Sequence, residues 1–197
     1  LSQKRAQAAP QDFSRTLDWA LRSVLVIGAP ATVGLFVLSG PILTTLFYYG
    51  AFDIQDVSMA RLSLMAYSLG LLGFIGVKVL APGYYARQDT KTPVKIGIIA
   101  MVLNMGLNVA FVVPMVLLDI KGPHSGLALA TACSAYINAG LLFHGLRRDG
   151  VLQVLPGWGL LMLRVVIASL AMAGLLIWGA GHLSGWMQWG LWERVGW

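Results

Sequence analysis

Apolar and polar positions fall in blocks along this chain, and five of the apolar blocks are long enough to cross a bilayer. The stretch 1–17 is polar and basic, with Lys4, Arg5 and Arg15, and predicts a loop on a membrane face. Asp18 stands where it could cap a first helix, with Trp19 and Arg22 at the interface, in a segment running over 18–49. Pro30 predicts a kink there, because proline removes a backbone donor and crowds the preceding turn. Ser39-Gly40-Pro41 predicts a break, followed by a short apolar turn ending in Phe47, Tyr48 and Tyr49 as an aromatic belt. A second helix is predicted over 57–82, with Asp53 or Asp56 as its cap and Pro82-Gly83 at its end. A linker over 83–92 leads to a third helix over 93–113, with Thr92 as N-cap and Pro93 at the first helical position. The stretch 114–125 reads as a loop, 126–146 as a fourth helix, 147–157 as a loop and 158–181 as a fifth helix. In the last segment, 182–197, the spacing of Trp186, Trp189 and Trp192 puts them on one face of an interfacial helix. The expectation is an all-α membrane protein, a polytopic bundle of five transmembrane helices.

Composition sharpens that picture. The chain is 57% hydrophobic and 11% charged, with mean hydropathy +0.74, against about 25% charged residues in a soluble domain. The net charge of +6 does not point to nucleic acid, because the cations gather between apolar blocks and form no stripe beside stacking aromatics. They divide by side instead. If the first loop, the 83–92 linker and the 147–157 loop share a face, that face holds Lys4, Arg5, Arg15, Arg22, Lys78, Arg87, Lys91, Lys95, Arg147, Arg148 and Arg164. Only Arg61, Lys121 and Arg194 remain for the other. The positive-inside rule assigns the richer face to the cytoplasm, with Arg87, Lys91, Lys95, Arg147 and Arg148 as topology anchors. The single cysteine, Cys133, excludes a disulfide framework. The chain starts at Leu1 without a signal-peptide pattern and stops at Trp197 on what reads as the approach to another helix. It is expected to be a piece of a larger membrane protein.

Soluble-enzyme motifs such as H-E-x-x-H, G-x-x-x-x-G-K-[ST] and G-x-S-x-G do not occur. His124, His144 and His182 are far apart in sequence, so no catalytic residue and no metal site is expected. What remains is polarity at membrane depth. Asn104 and Asn108 lie one turn apart on the third helix, and Thr131 and Ser134 sit at comparable depth on the fourth. Neutral oxygens meeting there suit either a small cation or an interhelical hydrogen bond that fixes packing. Gly126, Ala130, Ser134 and Asn138 form a small-residue stripe that lets another helix approach. Arg61, Lys78 and Arg164 either snorkel to an interface or line a cationic cavity that attracts phosphate.

The run from Lys78 to Val94, Lys-Val-Leu-Ala-Pro-Gly-Tyr-Tyr-Ala-Arg-Gln-Asp-Thr-Lys-Thr-Pro-Val, strongly resembles the signature of the MurJ (MviN) lipid II flippases. Leu38-Ser39-Gly40-Pro41-Ile42, the stretch Leu46 to Phe52, and Pro156-Gly157-Trp158 fit the same family. The resemblance implies a fourteen-helix transporter of the MOP exporter superfamily, of which this chain would supply helices nine to thirteen. The missing parts would be an N-terminal lobe and a last helix. It implies a multi-pass protein of the bacterial cytoplasmic membrane that is not an enzyme. Its work would be to move the undecaprenyl-pyrophosphate-linked peptidoglycan precursor, lipid II, from the cytoplasmic to the periplasmic leaflet by alternating access. Partners would be lipid II and the bilayer. No cofactor is expected beyond a monovalent cation or the membrane potential as coupling force. The family's best-known functional arginines lie in earlier helices, outside this sequence. The alternatives are a non-transporting membrane scaffold of the cell-wall machinery and an ion-coupled exporter of the same superfamily.

Overall fold

The computed structural model describes residues 2–48, 53–120 and 122–180, and these form helices joined by short connections. In order they are α1 (Ser2–Val37), α2 (Ser39–Phe47), α3 (Ile54–Tyr85), α4 (Lys91–Leu117), α5 (His124–Arg148) and α6 (Trp158–Ala180). All but α2 contain a stretch long and apolar enough to span a membrane, five in total among the described residues. Tyr49, Lys121 and the tryptophan-rich tail lie outside the described residues.

The largest difference from the sequence reading is at the start, where helix replaces the loop expected over 1–17. The signal was present but masked by polarity. Ser14, Leu17 and Asp18 are all buried, and with Leu21 they follow the i, i+3, i+4, i+7 spacing of one helix face. Asp18 is therefore an interior position of α1 and not its cap. Its carboxylate accepts from the Trp158 indole at 2.9 Å, from Arg22 Nε at 2.7 Å and from the Leu155 amide at 3.3 Å. Arg22 also donates to the carbonyls of Leu155 and Pro156 and lies over the Trp158 ring, while Ser14 Oγ accepts from the Gln153 amide. The α5–α6 connection is thus tied to α1 along its length. Pro30 sits inside α1, which continues to Val37. The break falls on Leu38, and α2 begins at once with Ser39.

Asp53 and Asp56 share the work of starting α3. Asp53 Oδ1 accepts from the Gln55 and Asp56 amides, and Asp56 Oδ2 accepts from the Asp53 amide, a reciprocal capping box. At the other end α3 passes through Pro82-Gly83 and stops at Tyr85. Pro82 lacks the amide that would bond the Lys78 carbonyl, so one bond of the last turn is missing, but its own carbonyl accepts from the Ala86 amide and the turn still closes. Termination comes from a Schellman motif: the Gln88 amide bonds the Tyr85 carbonyl, the Asp89 amide bonds the Tyr84 carbonyl, and Gln88 adopts φ 60°. Asp119, at φ 52°, ends α4 the same way beyond Pro114, and Gly150, at φ 71°, ends α5. The sequence reading gave the start of α4 to Thr92, but the helix begins at Lys91, and it is Asp89 Oδ1 that accepts from the Thr92 amide at 3.0 Å.

Helices α3 and α5 run parallel at the centre. A Cβ on Gly70 would lie 2.8 Å from Ala132 Cα, and one on Gly73 would lie 2.9 Å from the Tyr136 amide nitrogen. The two backbones therefore touch, through Gly70, Gly73 and Gly76 on α3 against Ala132, Ala135 and Ala139 on α5. Helix α1 packs on α3, α6 packs on α1, and α4 packs on α5. The buried cluster of Leu17, Leu80, Tyr84, Leu142, Leu146 and Leu152 lies where α1, α3, α5 and the α5–α6 connection meet. Tyr84 donates from its hydroxyl to the Leu142 carbonyl there, at 2.9 Å.

Candidate functional site

On the α4 side of the α3–α5 pair lies a cleft of about 430 Å³. Its wall is Phe74, Val77 and Lys78 from α3, Gly97, Ala100, Met101 and Asn104 from α4, and Thr131, Ser134, Ala135 and Asn138 from α5. The structure thus brings Asn104 and Thr131, two of the cation-site candidates, together with Lys78, a substrate-cavity candidate. Asn138, which the sequence places in the small-residue stripe, joins them. The rest of that stripe does separate work: Gly126 sits against Phe111, Val112 and Met115 of α4, and Ala130 is fully buried.

The polar groups of the cleft have different freedoms. Ser134 Oγ is buried and donates to the Ala100 carbonyl at 2.7 Å, so the interhelical bond expected of this layer is made by Ser134. Thr131 donates to the Leu127 carbonyl in the preceding turn at 2.9 Å, which leaves the oxygen's lone pairs free to accept. Asn108 Nδ2 donates to Asn104 Oδ1 at 3.1 Å, joining two turns of the same helix. Asn104 Nδ2 and Asn108 Oδ1 are buried without a partner. A buried amide left half-satisfied costs about 1–3 kcal/mol, so this pair favours any occupant that supplies the missing contacts. The oxygens available are neutral, and no cluster of three or more His, Cys, Asp or Glu side chains occurs among the described residues. Such a donor set fits a monovalent cation or a hydroxyl-rich group far better than a divalent ion, which wants carboxylates.

The other two cavity candidates stand apart from this cleft. Arg61 and Lys78 are seventeen positions apart on α3, about 26 Å along a helix. Arg61 is half-buried near the start of α3, and its Nε is buried without a partner. Arg164 is exposed on α6, whose packing partner is α1. The anchors share one end: Arg87 pairs with Asp149 at 2.9 Å, which joins the 86–90 linker to the α5–α6 connection, and Lys91, Lys95, Arg147 and Arg148 are exposed beside them. At the opposite end the His124 ring is bonded to the Met59 carbonyl at 3.0 Å.

Known proteins match this arrangement over almost all of its length. Residues 1–193 match the family model described as lipid II flippase MurJ. The chain is 44% identical over 195 residues to the probable lipid II flippase MurJ of Vibrio cholerae, covering 99% of this chain and 36% of that protein. It is 44% identical over 186 residues to the Haemophilus influenzae protein of the same name, covering 94% and 35%. It is 41% identical over 180 residues to the lipid II flippase MurJ of Burkholderia cenocepacia, covering 91% and 34%. A solved structure of lipid II flippase MurJ in an inward closed conformation superposes with a TM-score of 0.72 at 26% identity, over 94% of this chain and 36% of that one. The chain therefore spans about a third of the length of the relatives it matches. Five apolar helices in that family context make it a multi-pass segment of the bacterial inner membrane. The chain belongs to the MurJ lipid II flippase family.

Proposed function

We propose that the full-length protein containing this chain moves lipid II from the cytoplasmic to the periplasmic leaflet by alternating access, and that this chain supplies most of a C-terminal lobe. It acts as a transporter and performs no covalent chemistry. The observation that carries this reading is the family match along residues 1–193. The partners are lipid II, the surrounding bilayer and the remainder of the same protein. Depletion of the full-length protein in cells, followed by an assay of which leaflet holds lipid II, tests the reading. Lipid II is expected to accumulate on the cytoplasmic side, and an unchanged rate of arrival at the periplasmic leaflet overturns it.

Within this reading the α3–α4–α5 cleft is the coupling site. A monovalent cation bound by Asn104, Asn108 and Thr131 would satisfy the orphaned Asn108 oxygen. Lys78 at the same cleft supplies the positive charge that a phosphate-bearing headgroup needs. Thermal stability of the purified full-length protein should rise with sodium or another monovalent cation. Asn104→Ala with Asn108→Ala should remove that rise, whereas a response that survives both substitutions assigns the two asparagines to packing.

A further inference from the structure

The α3–α5 pair has a second cleft on the face turned away from Asn104, and its chemistry is the opposite. It measures about 540 Å³ and is walled by Leu25 of α1, Leu72 of α3, Phe143 of α5 and Met162 of α6, with Trp158 and Arg147 at one end. Arg147 is exposed, and no hydrogen bond or ion pair within the described residues engages its guanidinium. The acids of the adjoining contacts are already committed: Asp149 pairs with Arg87, and Asp18 with Arg22 and Trp158.

We infer that this cleft is a binding site for an anionic glycerophospholipid, one acyl chain lying between α1, α3, α5 and α6 and the phosphate held by Arg147. Three features select that occupant. A free guanidinium at the mouth of an apolar slot provides both halves of an amphiphile's recognition, and basic pockets between membrane helices are known to hold anionic headgroups. Trp158 lines the same mouth, and because its indole N–H is already satisfied by Asp18 its ring offers an acyl chain an apolar wall there. The third is length. Along α5 the lining runs from Tyr136 to Arg147, eleven residues or about 16 Å, which matches one leaflet of a hydrocarbon core about 30 Å thick. A slot one leaflet deep suits a fatty acyl chain and is too short for a polyprenyl tail. The site stands whether or not the protein moves lipid II.

The test uses delipidated full-length protein and native mass spectrometry, with phosphatidylglycerol and phosphatidylcholine of identical acyl chains offered in equal amounts. The unaltered protein should retain phosphatidylglycerol about fivefold over phosphatidylcholine, the effect of one well-placed arginine. Arg147→Gln should bring that ratio near one, while Arg148→Gln, at the next position about 100° round the helix and outside the cleft lining, leaves it unchanged. Leu25→Trp or Met162→Trp, which fill the slot and keep the arginine, should lower retention of both lipids; either variant serves if its melting temperature is unaltered. Equal retention by the unaltered protein overturns the inference, as does a preference that survives Arg147→Gln. Retention undiminished by slot-filling variants also overturns it, as does undecaprenyl phosphate, in place of phosphatidylglycerol, depending on Arg147.

Discussion

At the residue scale, the positions that carry most consequence are those where a local rule is broken. Gln88 holds a left-handed conformation in the Schellman turn that ends α3, where a side chain costs about 1–2 kcal/mol relative to its absence. Gln88→Gly should therefore raise stability by about 0.5–1 kcal/mol, read as an upward shift in melting temperature of the full-length protein. One position on, hydrogen bonds from Thr92 hold the Asp89 carboxyl below its ordinary value of 3.8. A carboxyl lowered by folding contributes stability above its unfolded value and loses it as pH falls through the lower folded one. The α4 cap should thus be intact at neutral pH and weaken only below pH 3.8, seen as faster amide exchange at Thr92. In Asp89→Asn that step should vanish. None of these local roles followed from composition. The turn at Gln88 carries no glycine to announce it, and the Asp18 contacts with Leu155 and Trp158 depend on residues 137 and 140 positions away.

At the scale of elements, the glycines of α3 decide how the bundle is built. Gly73→Val would drive a branched side chain into the backbone of α5 at Ala135 and Tyr136. It should cost about 1–3 kcal/mol or more by overpacking, while the same change at Gly97, which has open space around it, should be near neutral or slightly stabilising, since valine is the better helix former. Comparing the two melting temperatures separates packing from propensity. The number of spans was legible in the chain because twenty-residue apolar blocks can hide from water in few other ways. The small-residue stripe on α5 was legible too, although α3 makes the closer approach through its own glycines, spaced at three residues where the four-residue stripe drew attention. The first helix was not legible as helix beyond Asp18, because its outer turns are polar and earn their place through Ser14 and Leu17 against the far α5–α6 connection. Of the site, the depth of Asn104 could be read from its distance to Pro93 and the spread of Arg61 and Lys78 from their spacing on one helix, whereas the place of Arg164, on a helix that packs on α1, depends on which helices pair.

At the scale of the whole molecule, sidedness is the property with the widest reach. The 14–22 stretch of α1, the 86–90 linker and the α5–α6 connection meet at one end through Ser14, Asp18, Arg22, Arg87 and Asp149, so these segments, which share a face by their charge, also meet in space. In a full-length protein with Cys133→Ala, a cysteine at Gln55 should react with a membrane-impermeant thiol reagent applied outside intact cells. A cysteine at Arg148 should react only after permeabilisation, and the reverse pattern would invert the orientation. The polar contacts have a mechanical side as well. Those that bridge α1, α3, α5 and the entry to α6 crowd that basic end, where the α5–α6 connection is held at once by Ser14, Asp18, Arg22 and Arg87. The connection is thereby clamped: the opening of one contact leaves the others in place, so it leaves α1 only if several bonds break together.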